Sequence, residues 1–370
     1  MIRARRAVER LREYTPVPEG RESMIRLDLN ENTVGCPPAL LRALRRQMTR
    51  ERCAIYPEYD ETRAVLAKYY GVSPAELVMT NGVDDAIMLI CDTFVNPGDV
   101  LAIPSPTFAI YQFFHELRDG ITRPVDYDRR VRLPVEKLIA AAKRARWLAL
   151  ANPNNPTGTI IPKDELRRLI EAAPQTLVLV DEAYFDFSGV TVLHWIRRYP
   201  NLIVSRTLSK AFGLAGLRLG ILFASRALMG LMRRVHAAYA VNAVAVAGAA
   251  EAVKYGEAVR AYVAMIQRNR EWLHTELSEM GVPHAPSAAN FLFARIGERA
   301  PEVARRLRRQ GILVRDWGSD ARLCKCLRIT IGTMPEMRRV AGGLRGLRRL
   351  LETDDAAELA DGKSRFAWFA

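Results

Sequence analysis

Short apolar runs alternate with longer stretches of helical periodicity from about residue 60 onward. The runs are LVMT (77–80), DVLAIP (99–104), WLALA (147–151), LVLVDEA (177–183), NLIVSRT (201–207) and LGILFAS (219–225). Each is brief and apolar or β-prone, and most are flanked by Gly, Pro, Asn or Asp, which predicts strands. Strands that run almost continuously apolar are covered on both faces. Their alternation with helices predicts an α/β domain whose central sheet is mostly parallel and covered by helices.

The pattern differs at both ends. Residues 1–23 are polar and mixed, predicting a helix and then a Pro-containing arm, and residues 24–32 predict a short strand running into a loop. PPALLRALRR (37–46) begins a helix with Pro in its first turn. Beyond residue 240 one long helical stretch (about 243–280) leads to NFLFARI (290–296), a helix over 300–310, GILVRD (311–316), CLRITIG (326–332) and an amphipathic helix over 335–352. The expected organisation is an arm and part of a small domain over 1–45 and a large domain over 46–255. A small α+β domain over 256–352 and a tail over 353–370 complete it.

A chain of 370 residues exceeds the size of one ordinary core, in keeping with two domains. The formal net charge of +14 suits either an anion-attracting surface or arginines spread over helix faces. The Arg-Arg pairs are scattered and no basic run stands out, which favours the second reading and predicts no nucleic-acid partner. The most apolar stretch, residues 237–250, is too short to span a bilayer, and the basic N-terminus lacks the apolar core of a signal peptide. Five cysteines without metal-ligand spacing predict reduced thiols, no metal and a cytoplasmic setting.

The segment carrying most chemistry is T-L-S-K-A-F-G-L-A-G-L-R-L-G, Thr207 to Gly220. Lys210 follows an apolar strand. A lysine in such a turn is either an ordinary surface residue or a buried amine made nucleophilic by loss of its charge. Thr207, Ser209 and Arg218 are of the types that grip a phosphate. Asp181 ends another apolar strand, where a carboxylate needs a metal, a helix end, a cation or a cofactor as partner. T-N-G-V-D-D-A (80–86) places backbone amides at a helix N-terminus, a setting that suits a phosphate.

Together with A-N-P-N-N-P-T-G-T (151–159) and P-S-P-T-F (104–108), these segments resemble fold type I, class I/II aminotransferases dependent on pyridoxal 5′-phosphate (PLP), over roughly residues 24–350. The resemblance implies a large domain with a sheet of the seven-stranded type. It implies Lys210 as the lysine that carries PLP as a Schiff base, and Asp181 as partner of the pyridinium nitrogen. Asn155 and Tyr184 would bond its phenolic oxygen, and Phe108 would stack on its ring. Val83 and Asp84 would supply amides to its phosphate, with Thr207, Ser209 and Arg218.

Within these enzymes the chain is most similar to the histidinol-phosphate aminotransferases, through L-N-E-N (29–32, with Asn30), I-Y-P-E-Y (55–59) and the arginines of GILVRD and CLRITIGT. That branch implies a homodimer in which Tyr56 reaches the neighbour's cofactor phosphate. It also implies Arg328 on a substrate carboxylate, Arg315 on a distal phosphate, and a 2-oxo acid as acceptor. T-P-V (15–17) stands where many relatives have T-P-Y, and E-N-T-V-G-C-P-P replaces E-N-P-x-G-P. These departures lie at the substrate end. They leave open an aromatic or other amino-acid aminotransferase, an amino-acid phosphate decarboxylase, and an aminotransferase-like regulatory protein.

Overall fold

The computed structural model describes residues 2–11, 20–128, 130–318 and 322–351. Its strands are β1 (Ile25–Leu27), β2 (Leu77–Asn81), β3 (Val100–Ser105), β4 (Ile121–Asp126), β5 (Trp147–Ala151) and β6 (Leu177–Asp181). They continue with β7 (Leu202–Thr207), β8 (Leu219–Ala224), β9 (His284–Ala285), β10 (Phe291–Arg295), β11 (Ile312–Val314) and β12 (Cys326–Thr330). Seven of them form one sheet in the order β2-β8-β7-β6-β5-β3-β4. β8 is antiparallel to both its neighbours, and the remaining pairs are parallel.

The sheet is mixed into the core on both faces, and the side-chain period of two divides its residues between them. Leu148, Leu150, Val178, Val180, Leu202, Val204, Ile221 and Phe223 join the core on one face. Trp147, Ala149, Leu177, Leu179, Ile203, Leu222 and Ala224 join the core on the other. This two-sided burial is why β5 and β8 read as unbroken apolar runs, and why β6 and β7 are apolar up to their C-terminal ends.

β4 follows a different rule, and sequence periodicity did not predict it. Its residues are mostly exposed, and Pro124 sits in its middle. It pairs with β3 alone, at the sheet edge, where a residue without an N–H costs no interior ladder bond. The long helical stretch expected over 243–280 is also divided. Helix Ala243–Ala252 gives way to a 3₁₀ turn at Val253–Tyr255, and Gly256 opens a second helix that runs to Glu279. The last helix, expected over 335–352, covers Met334–Gly346.

Two smaller sheets stand apart. β12, β10 and β9 form an antiparallel sheet, and β1 pairs in parallel with β11 so that the N-terminal segment lies beside the C-terminal part of the chain. Helix Pro38–Gln47, expected in the arm, packs on helix Ala243–Ala252. The T-P-V segment and the tail lie outside the described residues. No helix among the described residues is long and apolar enough to cross a membrane.

Phe223 is fully buried and meets Tyr70 edge-on at 5.0 Å between ring centroids. Phe223→Ala should lower the stability of the PLP-free protein by about 3–5 kcal/mol, read from the midpoint of denaturant unfolding.

Candidate active site

The parallel strands end together, and the loops that follow their C-terminal ends enclose a cavity of about 1180 Å³. Crevices at that edge are where α/β sheets take ligands, because successive loops there diverge to opposite faces. All the candidate site residues named above line it except Tyr56: Lys210, Asp181, Tyr184, Asn155, Val83, Asp84, Phe108, Thr207, Ser209, Arg218, Arg328, Arg315 and Asn30. Tyr56 is 73% exposed and stacks on Tyr239 at 4.3 Å, away from this cavity.

Asp181 is the end of β6 and is buried. Tyr111 Oη donates to its Oδ2 at 2.6 Å, Ser205 Oγ donates to its Oδ1 at 2.8 Å, and the Ala183 amide donates to Oδ1 at 3.1 Å. Burial nevertheless pushes its pKa up, and these donors only partly offset the shift. Such a carboxylate is set to meet a cation from inside the cavity. Sequence patterns did not single out Tyr111 or Ser205. Tyr111 lies three residues after Phe108 and meets it edge-on at 5.6 Å, but an apolar helix such as Ile110–Glu116 gives no sign that its tyrosine hydroxyl points at a carboxylate.

Lys210 Nζ donates to the Leu29 carbonyl at 2.9 Å. Burial, together with the Arg328 cation nearby, pulls its pKa down to about 8. An amine so shifted keeps a substantial unprotonated fraction just above neutrality and can attack an electrophile. Asn30 holds a left-handed backbone (φ 55°), which Asn adopts more readily than most residues. Its Nδ2 donates to Tyr184 Oη at 2.9 Å, while Thr330 Oγ1 donates to its Oδ1 at 3.1 Å. Arg328 donates to Asn155 Oδ1 at 2.5 Å and to the Asp28 carbonyl at 2.6 Å, leaving the Asn155 amide nitrogen as a donor toward the cavity.

A second cluster sits at the start of helix Gly82–Phe94. Thr207 Oγ1 donates to Ser209 Oγ at 2.9 Å, and Arg218 pairs with Asp84 at 3.0 Å. The backbone is drawn tight here. A Cβ on Gly220 would lie 2.5 Å from the Gly82 carbonyl carbon, and a Cβ on Gly82 (φ 80°) would lie 2.6 Å from Arg218 Nη2. Two glycines therefore bring the helix N-terminus, the hydroxyls and a guanidinium into one cradle of donors, suited to a phosphate. No group of three or more His, Cys, Asp or Glu among the described residues is placed to hold a metal.

Sequence reasoning also missed Trp317 and Arg322, which line the opposite wall. Arg322 donates to Ser105 Oγ and pairs with Asp126 at 3.0 Å. Arg315 and Arg328 face each other across an antiparallel bridge, with amide-to-carbonyl bonds of 3.0 and 2.9 Å.

Comparison with known proteins agrees with this geometry. The family model described as aminotransferase class I and II matches residues 22–344. The chain is 32% identical over 322 residues to a histidinol-phosphate aminotransferase of Ruminiclostridium cellulolyticum, covering 84% of this chain and 89% of the relative. It is 36% identical over 315 residues to one of Dehalococcoides mccartyi (strain CBDB1), covering 84% and 86%. The crystal structure of histidinol-phosphate aminotransferase from Sinorhizobium meliloti in complex with pyridoxal 5′-phosphate superposes with a TM-score of 0.86 at 26% identity, over 94% of this chain and 98% of that one. L-Threonine-O-3-phosphate decarboxylase from Porphyromonas gingivalis gives 0.77 at 25% identity, over 88% and 100%.

The donor set fits PLP: a nucleophilic amine, a buried carboxylate, an aromatic wall and a phosphate cradle within one cavity. Labelling of Lys210 in the PLP-free protein by a small aldehyde and borohydride should reach half its maximum near pH 8, rather than at the ordinary lysine value, as read by peptide mass spectrometry. Gly220→Ala should lower both PLP retention on dialysis and the unfolding midpoint, because the clash is with backbone that cannot step aside. By family model, relatives and fold, this chain is a member of the class I and II aminotransferases, and its cofactor is pyridoxal 5′-phosphate.

Proposed function

We propose that the chain is a transaminase that takes histidinol phosphate as amino donor and 2-oxoglutarate as acceptor, releasing glutamate. The observation that carries this reading is the arginine pair in the cavity that holds Lys210. There Arg315 and Arg328 sit on paired positions of one bridge and both line the cavity. Two guanidinium groups at one site suit a doubly anionic ligand, such as an amino-alcohol phosphate as donor or the dicarboxylate glutamate. The names of the curated relatives support the same substrate.

Bound PLP supplies an electron sink next to the carbon that bears the amine. In the proposed assignment Asp181 would accept from the ring nitrogen and keep it protonated, Asn155 and Tyr184 would donate to the phenolic oxygen, and Phe108 would lie against the ring. Val83 and Asp84 amides, Thr207, Ser209 and Arg218 would hold the phosphate. Lys210 Nζ would take the proton from the amine-bearing carbon and later return one, as its lowered pKa allows. Arg328, held by Asn155 Oδ1 and the Asp28 carbonyl, would meet the incoming anion. Tyr56, exposed and remote from its own cavity, is proposed to reach the cofactor phosphate of a second subunit in a homodimer.

The phosphate-binding wall also fits an amino-acid phosphate whose carboxylate is lost, and the decarboxylase fold neighbour keeps that alternative specific. A scan of amino donors against purified holoenzyme separates the readings. Histidinol phosphate should shift the cofactor absorbance without CO₂ release, and 2-oxoglutarate should restore it. An inert histidinol phosphate beside reactive aromatic amino acids would overturn the substrate assignment, and CO₂ release would overturn the transaminase. Arg315→Ala should raise KM for histidinol phosphate by about 10- to 100-fold, through loss of a charge-assisted contact, with a smaller effect on glutamate.

A further inference from the structure

The arginine wall poses an electrostatic problem. Arg315 and Arg328 occupy directly opposed positions on an antiparallel bridge, where like charges repel. Arg328 is buried, so water does little to screen the pair from that side. The Phe291 ring centroid lies 5.4 Å from the Arg328 guanidinium carbon, and the Trp317 ring reaches both arginines. The Arg328 guanidinium carbon lies 5.9 Å from the Trp317 ring centroid, and that of Arg315 lies 6.0 Å from it. Both distances fall at the reach of a cation–π attraction. The ring is fixed in turn. It meets buried Phe293 edge-on at 5.8 Å (85° between planes) and packs on the cluster that contains Tyr127, Leu323 and Cys326.

We propose that Trp317 is a positioning residue that holds Arg315 and Arg328 together as one clamp for a dianion, and that it thereby sets preference for a phosphate end over a carboxylate. This inference rests on the phosphate-ended donor proposed above. An indole presents electron density toward both guanidinium groups and keeps them converged before an anion arrives. A phosphate dianion has oxygens enough to bridge two arginines, so it gains most from their convergence. A carboxylate needs only Arg328, which Asn155 and the Asp28 carbonyl hold independently of the indole. Loss of the ring therefore penalises phosphate more than carboxylate. Phenylalanine keeps a π face at this position and leucine does not.

The test compares holoenzyme with Trp317→Leu and Trp317→Phe at constant ionic strength. It measures KM for the most reactive unphosphorylated amino donor and the Ki of inorganic phosphate as its competitor. Trp317→Leu should raise the phosphate Ki about tenfold, by more than it raises the donor KM, and Trp317→Phe should recover most of the loss. Equal rises in both constants, with no recovery in Trp317→Phe, would mean that the ring is a packing element only and would overturn the proposal. So would an unchanged Ki, or a wild-type enzyme indifferent to phosphate. Phosphate competition that depends on Trp317 in an enzyme that does not turn over histidinol phosphate would uphold the clamp and overturn the substrate reading alone.

Discussion

The centre of this molecule is a carboxylate kept where carboxylates are costly. Asp181 ends a fully buried strand, and its pKa is raised by the surrounding protein. It persists there because Tyr111 from a helix and Ser205 from the neighbouring strand both donate to it. These bonds bind the register of β6 and β7 to the seating of helix Ile110–Glu116. The Asn152 amide, just beyond β5, donates to the Asp181 carbonyl at 2.8 Å and extends the tie to the loop that carries Asn155. The sheet's architecture and the chemistry of its edge thus share one set of hydrogen bonds, and in the proposed assignment a cationic ring nitrogen would complete the arrangement.

The site is shared by distant parts of the chain. Lys210 follows β7 yet donates to a carbonyl of the N-terminal segment, and Asn30 from that segment links Tyr184 to Thr330 of β12. Asn290 Nδ2 donates to the Asn30 carbonyl at 3.1 Å, adding a third region. The lysine's depressed pKa follows from this convergence, since burial and the Arg328 charge act on it together. An amine that is nucleophilic near neutral pH is a property of the closed assembly and not of the T-L-S-K segment.

Most strands were legible because burial on both faces writes a simple signal. WLALA and LGILFA are apolar throughout and matched β5 and β8 to within a residue. β4 escaped because an edge strand is half solvated and tolerates Pro124. The break at Val253–Tyr255 escaped because V-K-Y carries no local stop signal, and where a helix turns is decided by what it packs against. Among site residues, those in local motifs could be named from the sequence. Tyr111, Ser205 and Arg322 carry no local signal, since each gains its meaning from a partner many residues away, and Trp317 gains its own only when Arg328 and Phe293 close on it.

By itself the sequence determined most of the strand-and-helix order, the candidate lysine and phosphate-cradle positions, and the likeness to PLP aminotransferases. These follow from periodicity and from short motifs whose chemistry is local. The tertiary structure alone decided that these motifs face one cavity, that Asp181 is tethered by Tyr111, and that two arginines converge on one indole. Such pairings depend on how the chain packs, because distances between residues remote in sequence are set by the core and not by their neighbours along the chain.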